Sequence, residues 1–507
     1  MKHCMKLLSA LLLALSLLAT GMALGEEEIE LGQAIEGLEG LDALDEPALE
    51  GDALAVDGAA LVSEDVAANA EGDEIVAKIN RANFPAKDFR KYVLENIDTN
   101  GDGKLSRAEA DGVTELMLRT DEDTREGRNA YNLSTLKGVE YFTNLEQLAC
   151  IDCKVKALDV SKNTKLLALN CSENKLTKLD VTKNTQLLVL DCSENRLTKL
   201  DVTKCTELLE LAAVKNKLTA VDLTGDTKLR LVSVMENKLR KLDVRTNKAL
   251  KLLNCAGNKL TELDVTGNAK LETLYCSANQ LTGLDVSKNA KLNDLSCSGN
   301  ALKALDLTCC KALMYLDCGD NRLKKLDVSK NRKLTRVDCY DNQLTALDLG
   351  SNTMLTTLRC QRNQLKKLNL TKNGKLDLLY AFSNQLTALD ISKNTRLTEL
   401  DCSDNKLRAL DTGANTKLGL LNAIDNRLTA LDVSRNAKLE FLYTNGNPIK
   451  TLDLKHNRIL RGYLKNKLWK EKDGVYWSYE GDSDLWGLGI DYATILTSGN
   501  KMLYEGR

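Results

Sequence analysis

The sequence has little histidine, proline or aromatic character, with 2 His, 3 Pro and 4% Phe, Trp and Tyr in 507 residues. His3 falls in the first few residues and leaves His456 alone in the body. Histidine acid–base catalysis and His-ligated zinc are therefore not expected. No glycine-rich phosphate loop or nucleophile elbow occurs. Carboxylate pairs recur along the whole chain, whereas a catalytic pair should break the local pattern. No enzyme activity is expected. Charged residues make up 28% of the chain, and no apolar run is long enough to span a bilayer. Neither a membrane span nor a nucleic-acid partner is expected. The scarcity of proline and aromatics suits one short Leu-rich unit copied many times.

Residues 1–25 read as a signal peptide. Lys2 and Lys6 supply the positive start and Leu7 to Leu18 the apolar stretch. Ala23-Leu24-Gly25 places small residues for cleavage before Glu26. The mature chain is expected outside the cytoplasm, secreted or at the cell surface. Residues 26–77 hold seventeen Asp or Glu and no Lys or Arg. So acidic a stretch cannot bury enough apolar surface to offset its ordering entropy, and a disordered tether is expected. The formal charge of −2 less these seventeen negative charges leaves about +15 on the rest of the chain.

Residues 78–144 are expected to form a small helical cap around a calcium loop. Residues 98–109 place oxygens at every ligand position of an EF-hand-type loop. These are Asp98, Asn100, Asp102, the carbonyl of Lys104, Ser106 and Glu109, with Gly103 for the sharp turn and Leu105 pointing inward. Helices are predicted over Asp88 to Ile97 and Ala108 to Arg119, the first with Phe89, Tyr92, Val93 and Ile97 at helical spacing. A single loop of this kind suits a structural calcium clip better than a sensor.

From Leu145 a unit L-x-x-L-x-C-x-x-N-x-L-x-x-L-D-V-x-x-N-x-x repeats every 21 residues, giving fifteen copies over 145–459. Asn occupies one column from Asn174 to Asn447, with Cys153 in its place in the first copy. Asp occupies another from Asp159 to Asp453, with Asn369 the one exception. A 21-residue unit cannot bury its own leucines, so neighbours must stack and pair their strands. At about 4.8 Å per strand, fifteen coils give a sheet about 70 Å long. The expected fold is a leucine-rich-repeat solenoid: a parallel β-sheet horseshoe of mostly extended coils, with a helical N-terminal cap and a short β C-terminal cap over 460–507. That last piece holds Trp469, Trp477 and Trp486, and two or three strands are predicted in it.

The helical cap, repeat and cysteine column together resemble the internalin family of bacterial leucine-rich-repeat proteins, particularly its cysteine-ladder member. The resemblance covers roughly residues 80–460. It implies a right-handed solenoid, secreted or surface-held, that binds host or neighbouring molecules. It also implies an EF-hand-like cap, from which this sequence departs by keeping calcium ligands. No wall-sorting signal is read at the C-terminus.

Cys4 leaves with the signal peptide, and fourteen cysteines remain. Ten share one column: Cys150, Cys171, Cys192, Cys255, Cys276, Cys297, Cys318, Cys339, Cys360 and Cys402. Ala213, Val234, Ala381, Ala423 and Thr444 fill its other places, so the column is core packing by a small soft residue, with free buried thiols. Cys153, Cys205 and Cys310 stand in Asn columns. Lys162, Lys183, Lys204, Lys288, Lys330, Lys372 and Lys393 form a broken column read as a solvated face.

In a strand L-x-x-L-x-C-x the Leu and Cys point inward, and residues three before, one before and one after the Cys face the concave side. All seven aromatics between 166 and 460 take one of those places: Tyr275, Tyr315, Tyr340, Tyr380, Phe382, Phe441 and Tyr443. Arg336 and Arg359 share that face, with Arg362 just beyond its edge. An aromatic and Arg patch is the composition of a binding hot spot. The expected function is recognition or adhesion, with a protein or carbohydrate ligand on the concave face. A structural envelope or matrix protein acting through self-association is the alternative.

Overall fold

A computed structural model describes residues 74–119 and 133–465, together with strands at 469–472, 475–479, 486–491, 495–498 and 501–504. The signal peptide and nearly all of the acidic tether lie outside the described residues. Ile75–Lys78 forms β1, antiparallel to β2 (Lys104–Ser106), so this strand overlaps the last residues of the segment read as a tether. Helix α1 (Lys87–Asn96) buries Phe89, Tyr92 and Val93, as its periodicity predicts, and Ile97 follows them into the interior. Phe84 packs edge-on against Phe89, ring centroids 5.8 Å apart.

The second predicted helix is cut short. Helix α2 spans only Arg107–Gly112, and Glu115–Arg119 is strand β3. Leu116 and Leu118 alternate at period two and are fully buried. As a strand, this segment satisfies the free edge of the repeat sheet, pairing parallel from Glu115↔Gln147 to Arg119↔Ile151. A helix would leave that edge bare.

Each of the fifteen repeats contributes one strand. In a first unit (residues 1–259) these are β4 (Gln147–Ile151), β5 (Ala168–Asn170), β6 (Val189–Asp191), β7 (Glu210–Ala212), β8 (Leu231–Ser233) and β9 (Leu252–Asn254). In a second unit (residues 260–507) they are β10 (Thr273–Tyr275), β11 (Asp294–Ser296), β12 (Tyr315–Asp317), β13 (Arg336–Asp338), β14 (Thr357–Arg359), β15 (Leu378–Tyr380), β16 (Glu399–Asp401), β17 (Leu420–Asn422) and β18 (Phe441–Tyr443). Within each unit neighbours pair in parallel at an offset of one repeat, as in Ala168↔Val189 and Thr273↔Asp294. Behind the strands, Leu169, Leu190, Leu295 and Leu316 are at most 1% exposed. Each such side chain contributes about 2 kcal/mol through the apolar surface it removes from water.

Two asparagine columns stitch coil to coil. In the first, Asn195 Nδ2 donates to the carbonyls of Cys171, Cys192 and Ser193 at 2.9–3.2 Å, while its Oδ1 accepts from Leu176 N–H at 2.8 Å. This column needs a donor and an acceptor in one side chain. The second column serves as a donor: Asn184 Nδ2 reaches the carbonyls of Val160 (3.0 Å) and Asn163 (2.8 Å), and only at Asn436 does the oxygen also accept, from the Thr412 hydroxyl. The Asn184 Oδ1 is buried and takes no hydrogen bond. A thiol can serve there, and Cys205 and Cys310 point Sγ at the carbonyls of Val181 and Val286. The Asp column turns the chain differently. Asp180 Oδ1 accepts from the Thr182 N–H and hydroxyl, which hold its carboxyl below the usual range. Asn369 makes the same turn through Oδ1 and Thr371, which accounts for that exception.

All fourteen described cysteines are free, and all but Cys309 are buried. Burial pushes the Cys255 and Cys360 thiols up to about 12. The lysines of the broken column are exposed.

Within the last repeat, β19 (Thr451–Asp453) follows β18, and after it come α3 (Arg458–Lys465), β20 (Trp469–Lys472), β21 (Val475–Tyr479), β22 (Trp486–Asp491), β23 (Ile495–Ser498) and β24 (Lys501–Tyr504). Five strands stand where two or three were predicted. Strands β20 to β22 form an antiparallel sheet, and β22 pairs parallel with β18 through Leu442↔Leu488 and Tyr443↔Gly489. The last repeat strand therefore has a partner, as the first has β3.

Asp226 breaks the donor column. It is fully buried, and neither of its oxygens has a hydrogen-bond partner. The repeat sets the carbonyls of Val202 and Cys205 opposite it, so only a protonated carboxyl can donate. Burial, then Asp222 and Asp201, pushes its pKa up to about 7. The folded state thus holds a proton that the unfolded chain releases near pH 4, and stability falls as pH rises from about 4 through 7. Asp226→Asn is expected to stabilise the chain by about 1–3 kcal/mol at pH 8 and to change little at pH 4, read by denaturant melts at both pH values. Equal effects at the two pH values would refute the protonated donor. The thiols give a second expectation. Without its leader, the native chain should titrate one cysteine, Cys309, with a thiol reagent, and all fourteen once unfolded.

Candidate functional site

The predicted calcium loop lies between α1 and α2, with its seventh position in β2. Gly101 and Gly103 take left-handed φ of 69° and 72°, which a side chain there would strain. Asp98 is buried and accepts from the N–H groups of Asp102 (3.2 Å) and Gly103 (3.0 Å). Asn100 Oδ1 accepts from Asp102 N–H, and Asp102 Oδ1 from Lys104 N–H. Glu109 closes the loop: Oε1 accepts from the Thr99 N–H and hydroxyl, and Oε2 from those of Ser106, at 2.8–3.0 Å. Ser106 Oγ accepts in return from Glu109 N–H, a capping box at the start of α2. All six predicted donors are hard oxygens. Their carboxylates are turned to backbone donors, and among the described residues no three His, Cys, Asp or Glu side chains gather to hold a metal.

The predicted ligand face lies wholly on the second unit. Alternation along β10 buries Leu274 and turns Thr273 and Tyr275 outward, and every strand to β18 repeats this. The first unit carries Ala168, Val189 and Ala212 at the corresponding places and no aromatic ring.

Carboxylates that the sequence reading missed hold the rings. Tyr275 OH donates to Asp294 Oδ2 at 2.6 Å, and Tyr380 OH to Glu399 Oε2 at 2.7 Å. Burial first, and the adjacent carboxylate second, push the Tyr275 phenol above its ordinary range. Asp338, its side chain 4% exposed, gathers both arginines. Arg336 donates Nε and Nη2 to Oδ2 at 2.9 and 2.7 Å, and Arg359 Nη1 lies 3.6 Å from the same oxygen. The Arg359 guanidinium also sits over the Tyr380 ring, 5.6 Å from its centroid, and Arg362 sits likewise over Phe382. The Tyr340 ring packs against Gly319, where any Cβ would overlap it. Tyr315, in register between Asp294 and Arg336, is the exposed ring of the set at 43%. Phe441 and Tyr443 stand apart on β18, three strands beyond β15 and about 14 Å away. Asp294, Asp317, Asp338 and Glu399 lie in the same columns as the aromatics, so reading whole columns rather than ring types would have found them.

No protein-family model and no curated protein sequence matches the chain. Solved structures do. The functional domain of InlJ from Listeria monocytogenes, which includes a cysteine ladder, is 33% identical over 76% of this chain and 80% of that one, with a TM-score of 0.64. A leucine-rich-repeat protein of Leptospira interrogans is 25% identical over 70% of this chain and 95% of that one, with a TM-score of 0.59. The plant peptide hormone receptor RGFR1, solved in complex with RGF2, shares the fold at 19% identity, covering 63% of this chain and 58% of that one, with a TM-score of 0.56. With the 21-residue coil, its buried cysteine column and a relative at this identity across four fifths of its length, the chain belongs to the internalin-like leucine-rich-repeat proteins with a cysteine ladder.

Proposed function

We propose that this chain is a secreted or cell-surface recognition protein whose ligand, a protein or a glycan, docks on the sheet face of β10–β18. Proteins of the internalin kind are ligand-binding recognition proteins. The observation that carries the reading to this face is the confinement of every repeat aromatic to it, with Tyr275, Tyr380 and Phe382 each held by a carboxylate or an arginine. Rings fixed in this way lose little freedom on binding, which is the usual condition of a hot spot. No helix among the described residues is long and apolar enough to cross a membrane. The signal-like leader supports export.

The loop at 98–109 is proposed to hold calcium through Asp98, Asn100, Asp102, the Lys104 carbonyl, Ser106 and Glu109. The support is the donor chemistry and the two left-handed glycines. Bound there, the ion would neutralise three carboxylates in a loop that joins α1, β2 and α2 just before the first sheet strand. Glu109 would exchange its bonds to Thr99 and Ser106 for the ion.

Two measurements test these readings. The full chain, presented to a printed glycan array and to a library of extended peptides, should give saturable binding that falls about tenfold or more in Tyr315→Ala/Tyr340→Ala. Binding indifferent to that pair would remove the face from the reading. Regular assembly in analytical ultracentrifugation without any ligand would favour a matrix protein instead. For the loop, calorimetry and thermal melting with and without chelator should show micromolar-to-millimolar calcium affinity and a higher Tm with calcium, both lost in Glu109→Gln. No heat and no shift would make the loop metal-free.

A further inference from the structure

We infer that the face of β10–β16 binds a cationic segment, a lysine- or arginine-bearing stretch of a protein partner. This rests on the recognition reading above and names its ligand class. The three outward columns of β10–β18 carry five acids (Asp294, Asp317, Asp338, Glu399 and Asp401) against Arg336 and Arg359. None of the nineteen lysines between residues 260 and 461 falls in them. An acidic face is thus set into a chain whose residues outside the 26–77 segment sum to about +15.

The face's own cations do not neutralise these acids. Both arginines converge on a single oxygen of Asp338, and its other oxygen is buried without a hydrogen bond. The remaining four carboxylates are held by uncharged donors. Asp317 Oδ2 accepts from Ser296 and Ser298 at 3.0 and 2.7 Å, Asp401 from Ser403 and Asn422, and Asp294 and Glu399 from tyrosines. Such bonds fix a carboxylate in place and leave its charge for a partner. The rings already show the matching contact, since Arg359 over Tyr380 and Arg362 over Phe382 each put a guanidinium on an aromatic face. Tyr315, exposed beside Asp294, offers the same surface to an incoming cation.

The geometry also sets a pH response. Asp294 is faced by Tyr275 from β10, by Tyr315 and Asp317 from β12 and by Arg336 from β13. Burial raises its pKa to about 6 against the opposing pull of Tyr275 and Arg336. As pH falls through 6 the face loses a negative charge, and a cation should bind more weakly.

The test uses the full chain and a labelled dodecapeptide of alternating lysine, glycine and serine, with glutamate and uncharged counterparts, read by fluorescence anisotropy. The lysine peptide should bind, weaken with salt and lose affinity from pH 7 to pH 5. Asp317→Asn/Glu399→Gln should weaken it about tenfold. Asp348→Asn/Asp390→Asn, at turns away from the face, should not. The acidic 26–77 segment is common to all variants, so the difference between them isolates the face. Thermal melts establish that each variant folds. Equal binding by both double variants overturns the inference. Binding of an uncharged glycan or peptide that Tyr315→Ala/Tyr340→Ala abolishes and Asp317→Asn/Glu399→Gln leaves intact also overturns it, yet keeps the recognition reading. If no ligand responds to either set of face variants, both fail together.

Discussion

Each coil of this protein leaves backbone groups that its own three-residue strand cannot satisfy, and an asparagine of the next coil satisfies them. Asn195 closes three carbonyls and one N–H, and Asn184 closes two carbonyls. Buried carbonyls without such partners would each cost about 1–3 kcal/mol, repeated at every turn. The columns therefore fix the spacing of the strands, and the leucine and cysteine packing follows from that spacing. What a position demands is a hydrogen-bonding role rather than a residue. The donor column accepts a thiol at Cys205 and penalises an ionised carboxylate at Asp226. The column that needs both roles keeps asparagine from Asn174 to Asn447.

With its interior settled by the repeat, the outer face of each strand is free to vary. The two units use that freedom differently. The first carries the close-packed Ala168, Val189 and Ala212 with Asp191 and Glu210 and no ring; the second carries Tyr275, Tyr315, Tyr340 and Tyr380 among carboxylates and arginines. Register places side chains from successive repeats about 4.8 Å apart, so residues 21 apart in sequence become one constellation. The link from Asp338 through Arg359 to Tyr380 crosses three coils in this way. The cation-binding inference depends on that crossing, because no single repeat carries more than a fragment of the site.

The solenoid, its coil length, the inward leucines and thiols and the identity of the outward columns were all legible in sequence, because a strict 21-residue period converts position into environment. Phe89, Tyr92 and Val93 were legible as one helix face for a similar reason. Glu115–Arg119 was not. Its polar and apolar residues fit a helix read alone, and only the bare edge of β4 makes a strand the better solution. The acids of the face were hidden by their abundance, since Asp317 and Asp338 look like ordinary solvated residues until their neighbours are known. The loop at 98–109 shows the converse: its donor pattern is complete in sequence, while in the fold each carboxylate serves the backbone of the loop.

The sequence by itself thus determined everything the repeat period dictates, namely which residues go inside, which turn the chain and which face outward. Tertiary structure alone decided which outward residues meet, which arginines are already engaged by Asp338, and where the first and last strands find partners. The physical reason is that periodicity encodes environment one coil at a time, whereas charge pairing and edge satisfaction arise between coils.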